Sequence, residues 1–241
     1  MPTVSDSEKA PPATRNRLLA ALPRKEYERL APHAQPVSFE QGQSLYEPNE
    51  PIEYAYFPLE GVASMIVTTR DGATVEVGLV GREGFVGYQP LLGMKSAPYG
   101  AIMQIPGYAL RISSKTLKEE FDRGARLRAV LHRNIQSQIV QTAQAAACNR
   151  LHEVNERLAR WLLMMHDRAE ADRLPLTHEF LSQMLGANRA TVSLAAGTFQ
   201  QAGLIRYARG SVTILNREGL EQIACECYGV VKAEFDHGPD L

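Results

Sequence analysis

The residues best suited to read another molecule cluster between Thr177 and Leu194. Asn188-Arg189-Ala190-Thr191, then Ser193-Leu194, stand at the start of a helix predicted over Arg189 to about Ala202. The planar fork of Arg189 can donate two parallel hydrogen bonds to a guanine edge, worth about 1–3 kcal/mol of discrimination. Asn188 and Thr191 are suited to phosphate, helped by the positive end of the helix. Ala190 and Leu194 offer apolar contact to a thymine methyl, and Ser193 shares their face. Thr177, which caps the preceding helix, and Arg209, in a later turn, complete the residues expected to face DNA.

These residues need a particular frame. Phe180, Leu181, Met184 and Leu185 form the apolar face of a short helix, and Ser182 is small enough for a close helix crossing. Gly186 suits a left-handed turn. Val192, Ala196 and Phe199 face inward at i, i+4 and i+7, and Gly203 ends the second helix. A small residue four before the glycine and a β-branched residue six after it give the spacing of a helix-turn-helix. Leu204–Tyr207, a turn at Ala208-Arg209-Gly210, and Ser211–Leu215 read as a hairpin wing.

Other reactive residues form no pattern in the sequence. Cys148, Cys225 and Cys227 are too few for a disulfide framework and read as small buried residues, with Cys225-x-Cys227 and Cys148 a weak redox or metal hint as the alternative. His132, His152, His166 and His178 show no ligand spacing among themselves, so no metal site or cofactor is predicted. Residues 34–113 contain no histidine, which argues against a metalloenzyme built on a β-barrel. The longest apolar run, Trp161 to Met165, is far short of the ~20 residues of a membrane span. With so few cysteines, a cytoplasmic location is expected.

The formal net charge of −1 hides an uneven distribution. Residues 123–147 hold four arginines and no acid, and residues 148–217 hold nine arginines against six acids. Residues 218–241 hold one lysine and six acids. The expected reading is a basic middle whose DNA-facing part lies within 177–217, followed by an acidic tail that stays off the duplex. Deleting 230–241 is expected to leave binding intact.

The remaining elements must position this segment. Met1–Thr14 reads as a frayed tail and residues 15–32 as one short helix. From Ala34 to Ser113, short β-rich stretches alternate with turn signals, as in a sandwich or jelly-roll barrel; the clearest hairpin pairs Ala63–Thr68 with Thr74–Leu79. The pattern is helical from Ser114 to about Glu170. Leu127, Leu131, Ile135 and Ile139 fall four apart and are assigned to a dimer seam, against the alternative of a buried core helix. A hinge is placed at Ala147–His152, with a new helix near Asn149 whose apolar face holds Leu151, Val154, Leu158, Trp161, Leu162 and Met165. The expected class is α+β: a sensor barrel over 1–123, a dimerisation helix over 124–148, and a winged helix-turn-helix domain over 149–241.

From about Arg15 to Tyr228 this order resembles the cyclic-AMP receptor protein/Fnr (Crp/Fnr) family of bacterial transcription regulators. Its marks are Phe39-Glu40-Gln41-Gly42, Tyr54-Ala55-Tyr56-Phe57 ahead of Glu60-Gly61-Val62, Gly84-Phe85-Val86-Gly87, Leu181 to Val192, and Gly203-Leu204-Ile205. The resemblance implies a homodimer through the long helix, binding to double-stranded inverted-repeat DNA, and action with RNA polymerase. It also places an effector pocket at Phe85, Val86, Gly87 and Tyr99. There the chain departs from cyclic-nucleotide binders: Phe85 stands where their ribose-binding glutamate is expected, and Pro98 or Tyr99 where their phosphate-binding arginine is expected. An unpaired phosphate would be costly to bury, so tight cyclic-AMP binding is not expected. The effector stays unassigned. The competing reading is a sensor that acts through protein contacts, with a degenerate DNA-binding domain.

Overall fold

The computed structural model describes residues 15–236. The expected tail Met1–Thr14 and residues 237–241 lie outside them. The single helix expected over 15–32 is two, α1 (Arg17–Ala20) and α2 (Arg24–Leu30), because Pro23 has no N–H to continue the first. Buried Asn16 caps α1 and donates through Nδ2 to the carbonyls of Pro58 and Gly84, tying this segment to the barrel.

Seven antiparallel strands build the barrel: β1 (Gln35–Phe39), β2 (Ser44–Tyr46), β3 (Tyr54–Pro58), β4 (Val62–Thr68), β5 (Thr74–Val80), β6 (Gly100–Ile105) and β7 (Gly107–Ser113). They form two sheets, ordered β1-β7-β3 and β2-β6-β4-β5. The expected hairpin is present, with Thr68 opposite Thr74 and Gly72 at a φ of +87° in the turn. Phe39, Tyr46, Tyr56, Met65, Val86 and Met103 fill the space between the sheets.

A second cluster lies outside that interior, where Phe57, Phe85 and Ile112 meet α3 (Ser114–Asp122) and α4 (Ala125–Leu151). Leu127, Leu131 and Ile135 are buried in this cluster, within the chain's own core. This corrects the seam assigned to Leu127, Leu131, Ile135 and Ile139: only Ile139, 52% exposed, is available to a partner. The reason is helical geometry. Steps of four residues advance about 40° beyond a full turn, so by Ile139 the stripe has rotated about 120° away from Leu127.

The hinge is narrower than expected. α4 is unbroken to Leu151, and the chain turns extended at His152 (φ −110°, ψ 150°). A reciprocal capping box between Glu153 and Glu156 then starts α5 (Val154–Ala169). A boundary between 148 and 149 would therefore cut a continuous helix, and Leu151, 73% exposed, is not on the buried face of α5. Leu158, Trp161, Leu162 and Met165 are on that face, as expected.

The C-terminal part continues with β8 (Arg173–Leu174), α6 (His178–Leu185), α7 (Arg189–Gln201), β9 (Ile205–Ala208), β10 (Ser211–Ile214), α8 (Arg217–Ile223) and α9 (Cys227–Asp236). Its core takes in Val62 and Leu79 from the barrel. The acidic tail is corrected as well: α9 packs on α4, with Val231 buried and Glu234 3.6 Å from Arg133. Deleting 230–241 would remove part of the core, so it is no neutral trimming.

Barrel and C-terminal domain also meet through hydrogen bonds. Glu76 on β5 accepts from Trp161 Nε1 at 3.0 Å and from Ser64 Oγ at 2.9 Å. Burial raises its pKa from 4.5 to about 7, against the opposing effect of these hydrogen bonds and of Arg160 and Arg168. Because the folded value is the higher one, the stabilisation by the protonated acid is complete below 4.5 and is lost as the pH rises to about 7. Glu76→Gln, neutral throughout, should raise stability at about pH 8 by on the order of 2–3 kcal/mol and have little effect near pH 4.5. Urea midpoints at the two pH values check this; an equal effect at both would contradict it.

Candidate nucleic-acid interface

α6 and α7 form the expected helix-turn-helix. Thr177 Oγ1 accepts from the Phe180 N–H at 3.1 Å and caps α6. Gly186 closes α6 in the left-handed conformation, at φ +55°. Asn188 Oδ1 then accepts from the Ala190 N–H at 2.8 Å, starting α7 two residues later. Leu181, Leu185, Val192, Ala196 and Phe199 are buried between the helices and α5, and buried Ser182 provides the small residue at the crossing.

What remains outside is the first two turns of α7. Asn188, Arg189, Ala190 and Thr191 are exposed, and Leu194 is 74% exposed, a large apolar side chain held in solvent. Arg189 lies 3.4 Å from Glu179 in a solvent-exposed pair, a weak tether that a stronger anion can replace. Ser193 departs from expectation. It is half-buried, and its Oγ is 3.1 Å from Nδ1 of His178, so it supports the helix pair instead of joining the exposed face.

His178 carries no site signal in the sequence. Its ring stacks on Tyr207 at 3.9 Å, and the Tyr207 hydroxyl accepts from the His178 N–H at 3.2 Å. This fastens the first turn of α6 to the wing. Burial, with a smaller push from Arg189, lowers the His178 pKa and favours the neutral ring. The partners are 29 residues apart, and no local signal in the sequence links them.

The wing turns through Arg209 (φ +50°) and Gly210 (φ +74°), with Ala208 paired to Ser211, the two positive φ values of a tight hairpin. Arg206 and Arg209 are exposed. Arg217 is not part of this face: it pairs with Asp167 at 2.7 Å and Glu221 at 3.0 Å and donates to Tyr228.

In the barrel, the four expected pocket residues divide. Val86 lines the interior and pairs with Tyr56. Tyr99 accepts from Gln89 Nε2 at 2.9 Å and lies 2.9 Å from the Tyr88 hydroxyl; Gln89 also reaches Tyr46. Burial raises the pKa of Tyr46 and Tyr88, so these phenols stay neutral. Phe85 is a correction: it faces the opposite way from Val86, stacked on Phe57 with ring centres 5.4 Å apart in the cluster against the helices. At Gly87 (φ +90°) a Cβ would lie 2.6 Å from the Tyr54 carbonyl oxygen, so a close backbone approach requires glycine. Glu83 points out of the barrel to Arg168 of α5, at 2.8 Å.

A barrel joined through a long helix to a winged helix-turn-helix defines a DNA-binding transcription regulator. Comparison with known proteins agrees in both halves. Residues 36–123 match the cyclic nucleotide-binding domain family and residues 156–223 the Crp-like helix-turn-helix domain family. The chain is 24% identical over 221 residues to the global nitrogen regulator of Synechocystis sp., covering 87% of this chain and 96% of that one. The fold is similar to a transcriptional regulator of the Crp/Fnr family from Eubacterium rectale (TM-score 0.69, 16% identity, 87% of this chain and 98% of that one). It is also similar to FixK2 from Bradyrhizobium japonicum (TM-score 0.69, 19% identity, 80% of this chain and 98% of that one). The chain belongs to the Crp/Fnr family of transcription regulators. Among the described residues, no helix is long and apolar enough to cross a membrane.

Proposed function

We propose that the protein is a homodimer that binds an inverted-repeat operator, with one α7 helix in each of two successive major grooves about 34 Å apart. The observation that carries this is the bare N-terminal face of α7. Asn188, Arg189, Ala190, Thr191 and Leu194 are exposed while the rest of the helix-turn-helix is fixed by burial. Arg189 reads a guanine, Leu194 or Ala190 meets a thymine methyl, and Asn188 and Thr191 position the backbone. Thr177 and Arg209 flank this face, one at the α6 terminus and one on the wing tip. Action at promoters with RNA polymerase, in the cytoplasm, is what family membership supports.

The dimer reading rests on α4. Gln136, Ile139, Ala143 and Ala146 are exposed at alternating three- and four-residue steps, the spacing of a two-helix seam. Small residues there permit close approach of the helices. The units we infer are the barrel to residue 123, α4 as the shared helix, and the winged domain from the His152–Glu153 break onward, in place of a boundary at 148/149.

We also infer that cyclic AMP is not the effector. Tyr46, Tyr88, Gln89 and Tyr99 bring no cation to the barrel interior, and Glu83 is committed to Arg168.

Arg189→Ala should lose about 1–3 kcal/mol of discrimination at one base pair per half-site and weaken binding to random DNA less, read by fluorescence anisotropy against operators selected from random sequence. Wild-type affinity and specificity would remove Arg189 from the reading role, and no salt-dependent DNA binding by the wild type would favour the protein-contact alternative. Ile139→Glu should convert the dimer to monomer in sedimentation velocity; an unchanged dimer would place the seam elsewhere. Calorimetric titration with cyclic AMP should show no binding at micromolar concentration, and micromolar or tighter affinity would overturn that inference.

A further inference from the structure

The three cysteines and one histidine that the sequence scatters come together at the hinge. Cys148 lies in the last turn of α4 and His152 at its C-cap; Cys225 lies between α8 and α9, and Cys227 is the first residue of α9. The three Sγ atoms and a ring nitrogen of His152 all lie within 4.8 Å of one another. We propose that Cys148, His152, Cys225 and Cys227 form a tetrahedral zinc site that joins the end of the long helix to α9.

The geometry fits this ion. With Zn–S near 2.3 Å and Zn–N near 2.0 Å, a tetrahedron has edges of roughly 3.5–3.8 Å. Cys148 Sγ to Cys225 Sγ is 3.5 Å, and Cys227 Sγ to His152 Nδ1 is 3.5 Å. The other ring nitrogen of His152, Nε2, faces Glu226 Oε2 at 3.3 Å, the carboxylate partner that orients a metal-bound imidazole. Gln144 Nε2 donates to Cys227 Sγ at 3.1 Å, a bond that favours a thiolate. All three cysteines are buried, and four protein ligands leave no open position, as in structural zinc sites.

Charge balance points the same way. Arg157 and Arg160 are buried beside the cluster, and among the described residues neither has a carboxylate within ion-pair distance. The Nε of each lacks a hydrogen-bond partner. Arg160 also acts on Glu76, so Arg157 is the cation that neutral thiols would leave poorly compensated, whereas three thiolates around Zn²⁺ carry a net charge of −1. Each thiol must give up its proton to bind the ion, so zinc uptake should release protons to solvent. Cys148 sits just before, and His152 within, the extended pair His152–Glu153 that separates α4 from α5. Zinc would hold α9 against this break and fix the angle at which the winged domain leaves the long helix.

The test uses the full chain without a polyhistidine tag, reduced, stripped with chelator and titrated with Zn²⁺ or Co²⁺. Elemental analysis should find about one zinc per chain. Cobalt should give the intense visible bands of tetrahedral Co²⁺ with a thiolate charge-transfer band. Cys227→Ser and His152→Ala should abolish or distort that spectrum, while His132→Ala leaves it unchanged. Glu226→Gln should keep the tetrahedral spectrum with affinity lower by about 10–100-fold. Zinc should raise the thermal midpoint of the wild type and not of His152→Ala, which keeps the result readable if a cysteine variant folds poorly. Three results would overturn the proposal: no uptake by the folded wild-type chain, a weak octahedral cobalt spectrum, or a Cys148–Cys225 disulfide in protein purified without reductant. None of these readouts depends on DNA binding, so their failure would leave the operator reading untouched.

Discussion

The arrangement of the two halves depends on one buried ion pair. Arg168, near the end of α5, meets Glu83, just ahead of the Gly84-Phe85-Val86-Gly87 segment of the barrel, at 2.8 Å with both side chains largely out of solvent. The guanidinium also donates to the Met164 carbonyl and to Gln141 of α4, and Phe235 of α9 lies 5.1 Å from its centre. One side chain thus contacts the barrel, the long helix, the winged domain and the last helix. A buried pair of this kind adds little over well-packed apolar residues, but losing one partner costs about 3–5 kcal/mol, because the other charge is left stranded. The pair therefore specifies where the domains sit more than how stable they are.

The same interface fixes the segment that runs beside the barrel interior. Glu83 is drawn outward to Arg168, and Phe85 is spent on the core beneath α4. Val86 alone of this segment turns inward, to a space shared with neutral tyrosines and Gln89. Phe85 and Glu83 thus serve packing between the barrel, the helices and α5. Glu83, through Arg168, and Glu76, through Trp161, form the seat of the winged domain.

At the other end of α5, rigidity and exposure are divided between neighbouring residues. α7 buries Val192, Ala196 and Phe199 and leaves Arg189, Thr191 and Leu194 bare. Ser193, between the two sets, is tied to His178, which is itself stacked on Tyr207 of the wing. The start of α7 is thereby tied, through the first turn of α6, to the wing.

Much of this was legible in local sequence. The helix-turn-helix follows from Ser182, Gly186, Asn188 and Val192, because capping, a left-handed turn and i, i+4, i+7 burial act over a few residues. The strand hairpin at Asp71-Gly72 was legible for the same reason. Charge was less informative. Of the arginines after residue 147, Arg157, Arg160 and Arg168 are buried, and Arg217 is bound by two carboxylates. The exposed arginines after residue 147 are Arg150, Arg173, Arg189, Arg206 and Arg209. Periodicity marked Leu127, Leu131 and Ile135 as buried but carried no information on what buries them; the barrel's outer face does. Nor could spacing bring Cys148 and His152 to Cys225 and Cys227, about 75 residues away, because only the packing of α9 on the end of α4 makes them neighbours. The sequence by itself determined the elements and the exposed start of α7, since those depend on short-range backbone chemistry. The tertiary structure decided which charges face solvent, which helix face is free for a partner, and which distant thiols meet, since these depend on long-range packing.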